Sequence, residues 1–528
     1  MNTSKSGNTQ SLWTATTEPT RYNALKGRVD ADVAVVGAGI TGLTAAIMLQ
    51  EAGKSVVLLE RSHIGTGETG RTTAHITAIL DTPYHDIIRD FGRAKARLVA
   101  QSQQSAIRQI ESWTHEFNID CDFTRLPAFR YTEKDHKVKN ARELHRELKS
   151  LARVGIESSF TDKVPLPFLT NGAMRVENQA QFHPGKYLFG LAHRFEKRGG
   201  RIFEKTHVTE THHGTPCRLH TENGEVVAQD IVFATNTPIS DRFFLHTKIE
   251  PYRTYAMALK LRSGSPSLGL FWDMEDPYHY IRWHGDLLIV GGEDHKTGTG
   301  QDTLSHFARL EEYCRARFDV ESVAYRWSGQ ILNPVDGLAY IGRDAFSKHF
   351  YVASGYMGNG MTFGTLGGWI CADLVLGRKN DWASLYDARR IKPRASIRSF
   401  LSYNKDYPIC MIKDRITAPE AASIDDVARG EGKIVSHEGR KVAVYHDDSG
   451  SIQALSPACT HMGCNVHFNN SEKTWDCPCH GSRFGTDGRV LNGPALMALE
   501  PIKLKSVKGE AGPKRAKPKT TPRRKRAA

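Results

Sequence analysis

The 528-residue chain lacks several sequence features that would direct a protein to a membrane or out of the cell. No stretch approaches the roughly eighteen consecutive apolar residues that a membrane-spanning helix needs. Residues 1–21 are polar and contain neither the apolar core of a secretory signal peptide nor a twin-arginine motif. The chain also lacks an internal repeat. These absences predict a cytoplasmic protein without a membrane span.

The overall composition sets few further limits. Hydrophobic residues make up 39% and charged residues 24% of the chain, which is ordinary for a globular protein. The length leaves room for two to four domains. Of the nine cysteines, four lie between residues 459 and 479. The other five show no pairing pattern and are predicted to be buried structural thiols: Cys121, Cys217, Cys314, Cys371 and Cys410.

The net charge of +13 is concentrated at the C-terminus. From Lys508 to Ala528 there are nine Lys or Arg residues and one Glu, so +8 of the +13 lies in this tail. The tail has no aliphatic side chain larger than Ala and contains several prolines, a composition that predicts disorder. It is either a solvated tail or a contact for nucleic acid, an acidic partner protein or an anionic membrane surface.

A glycine-rich motif near the N-terminus has the surroundings of a dinucleotide-binding turn. A Val-rich apolar run over 32–36, typical of a buried parallel strand, precedes the motif GAGITG, and a helical pattern over 43–52 follows. The glycines allow a tight turn, a close approach to a pyrophosphate and close helix–strand packing. A second strand, 55–59, ends in an acid placed to bind a ribose. The predicted cofactor residues are Gly37, Gly39, Gly42 and Glu60.

Two cysteine–histidine pairs lie in the C-terminal part, Cys459 with His461 and Cys477 with His480. A Rieske [2Fe-2S] cluster takes two thiolates on one iron and two imidazoles on the other. Zinc also accepts two Cys and two His in a tetrahedral site. Zinc fingers usually pair Cys with Cys and His with His, so the mixed pairs favour the iron–sulfur cluster and leave zinc as the alternative.

The same segment closely resembles the Rieske domains of cytochrome bc-type complexes. The resemblance rests on two further cysteines, Cys464 and Cys479, and on the Gly-Ser that follows the second pair. It implies a disulfide between Cys464 and Cys479 and a hydroxyl at Ser482 that donates to a bridging sulfide. Phe484 stands where that family has a Tyr that hydrogen-bonds a ligand sulfur. We therefore expect a potential below that of the respiratory proteins.

Most of residues 30–380 resembles the D-amino-acid-oxidase-like family of FAD-dependent oxidoreductases. Four stretches carry the resemblance: IGTGETGRTTAHIT at 64–77, AQFHPG at 180–185, DIVFATN at 230–236 and SGYMGNGMT at 354–362. In that family the first loop wraps the flavin, the third stretch ends in a cofactor contact and the last lies by the isoalloxazine ring. The resemblance therefore implies FAD rather than a nicotinamide cofactor.

The same resemblance implies how FAD is bound. Some relatives tether FAD through a Cys, but this chain has Gln330 and Ile331 at that place, which predicts non-covalent FAD. The further cofactor residues that it implies are Arg71, Thr72, Ala234, Thr235, Gly355, Gly358, Asn359, Gly360 and Met361.

Together these motifs predict an α/β FAD-binding (Rossmann-like) domain with an antiparallel-sheet substrate domain, plus a small all-β Rieske domain. The predicted units are an N-terminal extension, 1–29; the FAD-dependent oxidoreductase, 30–395, with cofactor-binding segments at about 30–120, 176–240 and 325–380 and substrate-domain segments at about 121–175 and 241–324; a linker, 396–420; the Rieske domain, 421–506; and the basic tail, 507–528.

Apolar periodicity adds local predictions within this division. It predicts one amphipathic helix over 84–117 and another over 132–154. It also predicts strands over 255–261, 278–283 and 287–290, which suit an antiparallel substrate sheet.

The two cofactors suggest a functional hypothesis. A substrate with an oxidisable C–N or C–O bond delivers a hydride to the flavin, and electrons then pass singly to the cluster and to an external acceptor. By resemblance the substrate is an amine or an amino acid. His75, Tyr280 and Arg282 are the predicted catalytic residues, with Arg282 suited to hold a substrate carboxylate. The further candidates are Arg71, His183, Tyr255 and His295.

Two other functions remain open from the sequence. A flavin–Rieske electron carrier without its own organic substrate would take electrons from a nicotinamide and serve a partner enzyme, although the chain has no second glycine-rich fingerprint. A flavoprotein that associates with nucleic acid through its basic tail would bind in a salt-dependent way.

Overall fold

The structure is a computed structural model. It describes residues 7–133, 138–240, 244–264, 266–299, 302–392 and 417–504. Most of the predicted linker, 396–420, therefore lies outside the described residues, as do Cys410 and the predicted basic tail, 507–528.

The helices of the described part are named in chain order. They are α1 (Leu12–Ala15), α2 (Ile40–Glu51), α3 (Tyr84–Phe91), α4 (Arg93–Glu116), α5 (Val138–Val154), α6 (Pro184–Lys197), α7 (Leu304–Arg315), α8 (Gly360–Val375) and α9 (Ala383–Tyr386). Short 3₁₀ helices cover Glu68–Arg71, His246–Lys248 and Ile424–Asp426.

The strands are named in the same way. They are β1 (Gly27–Val36), β2 (Val56–Leu59), β3 (His75–Ile76), β4 (Thr124–Glu133), β5 (Ser158–Thr161), β6 (Thr170–Gln181), β7 (Arg201–Phe203), β8 (Val208–His212), β9 (Cys217–Thr221), β10 (Gly224–Phe233), β11 (Ile249–Leu261), β12 (Leu270–Trp272), β13 (Tyr280–His284), β14 (Leu287–Lys296), β15 (Val320–Pro334), β16 (Tyr340–Arg343), β17 (Phe350–Ser354), β18 (Glu431–His437), β19 (Arg440–His446), β20 (Ile452–Leu455), β21 (His467–Asn469), β22 (Thr474–Asp476), β23 (Arg483–Gly485) and β24 (Val490–Asn492).

The first sheet supplies the nucleotide-binding layer. Its strand order is β16-β17-β10-β1-β2-β7, and the hairpin β8–β9 joins it at β10. The strands from β17 to β7 in this order run parallel. All four residues of β2 are buried, as its continuous apolar sequence predicts for a strand covered on both faces. Helix α2 is almost entirely buried and packs against the apolar helix α8.

The second sheet has nine strands among the described residues. Its order is β15-β11-β14-β13-β12-β4-β6-β3, with β5 on the edge of β6. Its pairs are antiparallel apart from β12 with β4. The predicted strands 255–261 and 287–290 fall within β11 and β14, and the predicted strand 278–283 overlaps β13, which begins two residues later, at Tyr280. The predicted mixed α/β architecture with an antiparallel substrate sheet is confirmed.

Two of the helix predictions were wrong in their boundaries. The predicted helix 84–117 is two helices, α3 and α4, because Gly92 adopts a φ of +83° between them. The predicted helix 132–154 begins later, at Val138, because residues up to Glu133 belong to β4, where Thr132 is buried. Side-chain apolarity alone did not distinguish the end of this strand from a helical turn.

The C-terminal unit is the small β domain that the sequence predicts. It contains an antiparallel three-stranded sheet, β18–β20, and an antiparallel four-stranded sheet, β21–β24. Trp475 and Phe484 are fully buried in its core, where Ile434 and Leu499 also pack. The loops after β20 and after β22 carry the cysteine–histidine pairs.

The segment before β1 is hydrogen-bonded both to the unit that contains the two large sheets and to the C-terminal domain. Trp13 is fully buried and donates its indole N–H to the carbonyl oxygen of Thr72 at 2.6 Å. The backbone N–H of Asn8 donates to the carbonyl oxygen of Glu472 in the C-terminal domain at 2.8 Å. Among the helices of the described residues, none is long and apolar enough to cross a bilayer.

Candidate functional site

The turn between β1 and α2 lets a ligand approach its backbone. Gly37 has a φ of +100°, and a Cβ atom there would lie 2.5 Å from the carbonyl oxygen of Ala234. A Cβ atom on Gly42 would lie 1.8 Å from the carbonyl oxygen of Gly37, so helix and strand meet too closely for a side chain. The positive end of α2 starts at this turn, an arrangement that attracts phosphate.

One cavity extends from this turn to the second sheet. Both oxygens of Glu60 are held by backbone N–H groups, of Ala38 at 3.0 Å and Ser62 at 2.8 Å, which fixes the carboxylate at the cavity wall. Gly42 and Gly355 do not line the cavity. The other predicted cofactor residues line the cavity: Gly37, Gly39, Glu60, Arg71, Thr72, Ala234, Thr235, Gly358, Asn359, Gly360 and Met361.

These features fit FAD. The side-chain-free turn and the helix start suit the pyrophosphate, and the fixed carboxylate of Glu60 suits a ribose hydroxyl. The cavity then continues past the loop 355–361 to the second sheet, which leaves a separate end for a flavin ring and a substrate. None of the described residues that line it is a cysteine, which suits the predicted non-covalent mode.

The far end of the cavity, under the second sheet, brings together part of the predicted catalytic set. His75 and Tyr280 line it, with Trp272 between β4 and β13. Burial lowers the pKa of His75 to about 3, so the ring is neutral at physiological pH. Its Nδ1 lies 3.0 Å from the Thr73 hydroxyl and its Nε2 3.4 Å from the Ile281 carbonyl oxygen. Both ring nitrogens therefore have partners within the wall.

Tyr280 is held by a second polar contact at this end. Its hydroxyl lies 2.6 Å from the Thr254 hydroxyl, and burial raises the pKa of Tyr280 above its usual value. The phenol therefore stays neutral and can only donate or accept a hydrogen bond here. The roles predicted for His75 and Tyr280 in catalysis stay predictions.

The placement of Arg282 does not fit its predicted role. It is fully buried, its guanidinium donates to the carbonyl oxygens of Thr73 at 2.6 Å and Phe182 at 3.2 Å, and it stacks on the Trp13 ring. It lies on the same face of β13 as Tyr280, but the N-terminal segment covers it. Arg282 therefore stabilises the junction of the N-terminal segment with the cavity wall and does not reach a substrate carboxylate.

Three other candidates also lie away from the cavity. His183 is the N-cap of α6 and accepts the N–H of Lys186 at 3.3 Å. Tyr255 and His295 stack with His306, at ring distances of 4.9 and 4.3 Å. None of the three lines the cavity, whereas the remaining candidate, Arg71, does.

The cysteine–histidine pairs converge in the C-terminal domain. Cys459 and Cys477 are buried free thiols, and the rings of His461 and His480 lie 5.0 Å apart. Hydrogen bonding from the Cys477 thiol lowers the pKa of Cys459 to about 7. Burial lowers the pKa of His480 well below its usual value, so the ring is in the neutral form that binds metal. The four side chains can supply two thiolates and two imidazoles to one cluster.

The residues around this ligand set match the resemblance to Rieske domains. Cys464 and Cys479 form a disulfide, as predicted, which ties the two ligand loops together. Ser482 is fully buried beside the cluster loops, where its Oγ accepts the N–H of Ala495 at 3.1 Å. The same hydroxyl also hydrogen-bonds Cys459, and its predicted donation to a bridging sulfide stays a prediction.

The histidine side of the cluster site faces the flavin-binding unit. The ring of His246 lies 5.0 Å from that of His461 and 5.5 Å from that of His480. Gln330, which lines the cavity, donates its Nε2–H to the carbonyl oxygen of Gly481 at 2.9 Å. The loop that follows His480 therefore contacts the wall of the flavin cavity directly.

A buried ionic cluster, formed by Glu472 with Arg71 and Arg253, holds the C-terminal domain against the flavin-binding unit. Glu472 of the C-terminal domain is almost completely inaccessible and accepts hydrogen bonds from the Thr9 backbone N–H at 3.2 Å, the Thr9 hydroxyl at 2.6 Å and the Ser328 hydroxyl. Its carboxylate lies 3.5 Å from the Arg71 guanidinium and 3.6 Å from that of Arg253. One carboxylate thus joins the N-terminal segment and three other separate segments of the chain to the C-terminal domain.

The charges in this cluster outweigh the cost of burying Glu472. Burial alone would raise the pKa of Glu472, but Arg71, Arg253 and Arg483 lower it to about 2. Arg483 is itself paired with Asp476 at 3.0 Å. The interface is consequently ionised over the physiological range.

The packing at the interface leaves no room for a further side chain at Gly298. It has a φ of +72°, and a Cβ atom would lie 2.6 Å from the backbone N of Pro478. Gly298→Ala is expected to destabilise docking of the C-terminal domain by about 1–3 kcal/mol, from overpacking and from the left-handed backbone. Protection of the domain boundary from protease, measured against denaturant, reports the change.

Gly285 provides a matched control for this substitution. It has a similar φ of +59° but no atom within 4 Å of a Cβ position. Gly285→Ala therefore carries the backbone strain without the interface clash. Equal protease protection in the two variants would show that the close contact at Pro478 contributes nothing to docking.

A dinucleotide cavity beneath an antiparallel sheet, docked against a Cys₂His₂ cluster site, defines a flavin-dependent oxidoreductase that carries a Rieske centre. The chain belongs to the FAD dependent oxidoreductase family, which matches residues 32–374, and residues 418–506 match the Rieske [2Fe-2S] domain. These matches confirm FAD and a [2Fe-2S] cluster as the cofactors and decide against the zinc alternative.

Similar proteins carry one or both units. YhfW of Bacillus subtilis (strain 168), named as a Rieske 2Fe-2S iron-sulfur protein, is 32% identical over 502 residues, which cover 94% of this chain and 98% of YhfW. Gamma-glutamylputrescine oxidoreductase of Escherichia coli (strain K12) is 25% identical over 67% of this chain and 86% of its own. Glycine oxidase from Geobacillus kaustophilus shares the fold, with a TM-score of 0.57, 19% identity and coverage of 69% and 99%.

Sequence reasoning missed several residues at the site. Asp81, Trp272 and Tyr278 line the far end of the cavity, yet none lies in a motif. Asp81 directly precedes Thr-Pro and reads as an ordinary turn residue. Glu472 lies between the two ligand pairs of the Rieske motif, and only the folded chain brings it to Arg71 and Arg253.

Proposed function

We propose that the protein is a dehydrogenase that oxidises an amine or amino acid and passes the electrons singly to its own Rieske cluster, then to an external acceptor. The 25% identity to gamma-glutamylputrescine oxidoreductase supports the amine class. The family membership and the second cofactor in the same chain support the redox part.

The contact between Gln330 and the cluster loop carries this proposal. Gln330 lines the flavin cavity and donates to Gly481, the residue next to the cluster ligand His480. A Cβ atom on Gly481 would lie 2.2 Å from the Gln330 amide nitrogen, so the two loops are in close contact. Short covalent and hydrogen-bonded links between two redox sites favour electron transfer within the chain over transfer to a diffusing molecule.

In the proposed reaction the substrate would give a hydride to bound FAD and release a proton to solvent, and a C=N bond would replace the C–N bond. Bound FAD supplies the two-electron chemistry and the cluster accepts electrons one at a time. The protein supplies enclosure: Asn492, Gly493, Ala495 and Leu496 of the C-terminal domain line the cavity. The docked Rieske domain therefore closes part of the cavity wall and excludes water from it.

An anaerobic experiment tests the proposal. The purified holoprotein is first reduced with dithionite to record the flavin bleaching and the EPR signal of the reduced Rieske cluster. A panel of amines and amino acids is then mixed with oxidised holoprotein. A compound that bleaches the flavin is expected to produce the Rieske signal in the same sample, whereas a bleached flavin beside an EPR-silent, oxidised cluster would refute transfer within the chain.

The same experiment distinguishes the proposed dehydrogenase from an electron carrier that has no organic substrate of its own. A carrier without an organic substrate would be reduced by NADH or NADPH and by no amine or amino acid. The side chains at the far end of the cavity favour an organic substrate, because a carrier has no need of them.

A further inference from the structure

A carboxyl group is held in a fixed position at the far end of the flavin cavity. Asp81 lines the cavity, and its Oδ2 accepts the N–H of Gly358 at 2.7 Å. Its own backbone N–H donates to Oδ1 of Asn359 at 3.0 Å. The carboxylate is thus attached to the loop 355–361, the loop that the family resemblance places by the flavin ring.

Three aromatic side chains, which we call the aromatic wall, line the same cavity as this carboxylate. Trp272, Tyr278 and Tyr280 all line the cavity, and the rings of Tyr278 and Tyr280 lie 5.7 Å apart. The Tyr278 hydroxyl lies 3.3 Å from the Cβ position of Gly358, beside the N–H that Asp81 accepts. Aromatic side chains and a carboxylate around one cavity are groups that can hold an organic ammonium ion.

The arginines that line the cavity are engaged elsewhere. Among the described lining residues the permanent cations are Arg61 and Arg71. Arg61 donates to the carbonyl oxygen of Leu491, and Arg71 to those of Thr9 at 2.9 Å and Ser328 at 3.0 Å. Arg282 is covered by Trp13. The described lining at the far end therefore offers no guanidinium to a carboxylate.

Arg130 does not line the cavity, but its charge acts on Asp81. It pairs with Trp272 in the register of β4 and β12, so it lies on the same face of the sheet. Burial raises the pKa of Asp81, and the charge of Arg130 opposes this only in part. Arg130 is the residue that would hold a substrate carboxylate if one were required, so it defines the opposing outcome of the test.

We propose that the substrate is an amine that binds as a cation, with its charged nitrogen between the Asp81 carboxylate and the aromatic wall, and without a carboxylate on the reacting carbon. The proposal rests on the proposed function and narrows its substrate class from amines and amino acids to amines. Asp81 is then a substrate-binding residue.

Two non-reactive probes of similar shape test this on the FAD holoenzyme. Benzyltrimethylammonium carries a permanent cation and cannot be oxidised to an imine, and benzoate carries a carboxylate on the same ring. Titration of the flavin visible difference spectrum gives a Kd for each. We expect the cation to bind at least about tenfold more tightly than benzoate, a difference of about 1.4 kcal/mol.

Three variants assign the effect to the charge of Asp81. Asp81→Asn keeps an oxygen that can accept the N–H of Gly358, so the loop stays in place, and cation binding is expected to weaken about tenfold or more. Asp286→Asn, a change of the same type at an exposed turn of the same sheet, is the control and should leave binding unchanged. Arg130→Gln should not weaken cation binding, because it removes a like charge.

Several results would contradict binding of a cationic amine at Asp81. Tighter binding of benzoate than of the cation, abolished by Arg130→Gln, would show an amino-acid site and overturn the proposal. No spectral change with the cation, or an unchanged Kd in Asp81→Asn, would also overturn it. These outcomes are independent of the proposed electron transfer, which fails separately if the flavin is reduced and the cluster is not.

Discussion

Replacing Glu472 by Gln is expected to undock the Rieske domain and to slow electron transfer from flavin to cluster by more than about tenfold, because the two redox sites then separate. The substitution leaves the guanidinium groups of Arg71 and Arg253 buried without their carboxylate. Removing one partner of a buried ion pair costs about 3–5 kcal/mol. Stopped-flow absorbance at the flavin and cluster bands, with protease protection of the domain, measures both consequences.

Glu500→Gln is the matched control for this prediction. Glu500 belongs to the same domain, and its side chain is exposed, so loss of its charge should change neither the rate nor the protection. If Glu472→Gln behaved like this control, the ionic cluster would not hold the domains together. Docking would then depend on the other contacts between them, such as the close approach of Gly298 to Pro478.

The lowered pKa of Glu472 predicts how docking of the C-terminal domain depends on pH. The pKa of Glu472 is lowered to about 2 in the folded protein, below its unfolded value, so its contribution is complete above the unfolded pKa of about 4.3. The contribution is lost as pH falls from about 4.3 to 2 and amounts to roughly 3 kcal/mol. Protease protection of the wild type should therefore fall across this acidic range, and the Glu472→Gln variant should lack that part of the pH dependence.

The local chemistry of both cofactor sites could be predicted from the sequence because it is encoded in short motifs. The turn around Gly37 and the pairs at Cys459 and Cys477 each need particular residue types at fixed spacing. Burial of most scattered cysteines also followed from their residue type: Cys121, Cys217, Cys314 and Cys371 are buried. No long-range information was needed for these predictions.

What could not be predicted depends on contacts between distant segments. Arg282 lies on the cavity face of β13, as its spacing from Tyr280 requires, but Trp13 from the N-terminal segment covers it. Glu472 and Arg71 are 401 positions apart in the chain, so no motif relates them. Asp81 became a candidate only because the fold places it against Gly358. Pairing of remote segments, rather than local propensity, decides each of these cases.

His480→Cys is the second change with a large expected effect, because it replaces a neutral ligand of the cluster by a thiolate. Neutral imidazoles raise Rieske potentials to about −150 to +300 mV, compared with about −400 mV for clusters held by four cysteines. The variant is therefore expected to lose the Rieske EPR signal or to lower the midpoint potential by on the order of 100 mV or more. Reduced flavin would then persist, because electron transfer to the cluster becomes unfavourable.

The result also tests the independence of the two cofactor sites. His480 contacts His246 of the flavin-binding unit but does not line the flavin cavity, so the variant should retain FAD. His437→Cys, the same substitution on β18 of the same domain, should leave both signals unchanged. EPR potentiometry with iron and flavin analysis of each variant measures this. An unchanged potential in His480→Cys would contradict the ligand assignment, and loss of FAD would show that the flavin site needs an intact cluster loop, because Gln330 and Gly481 join the two.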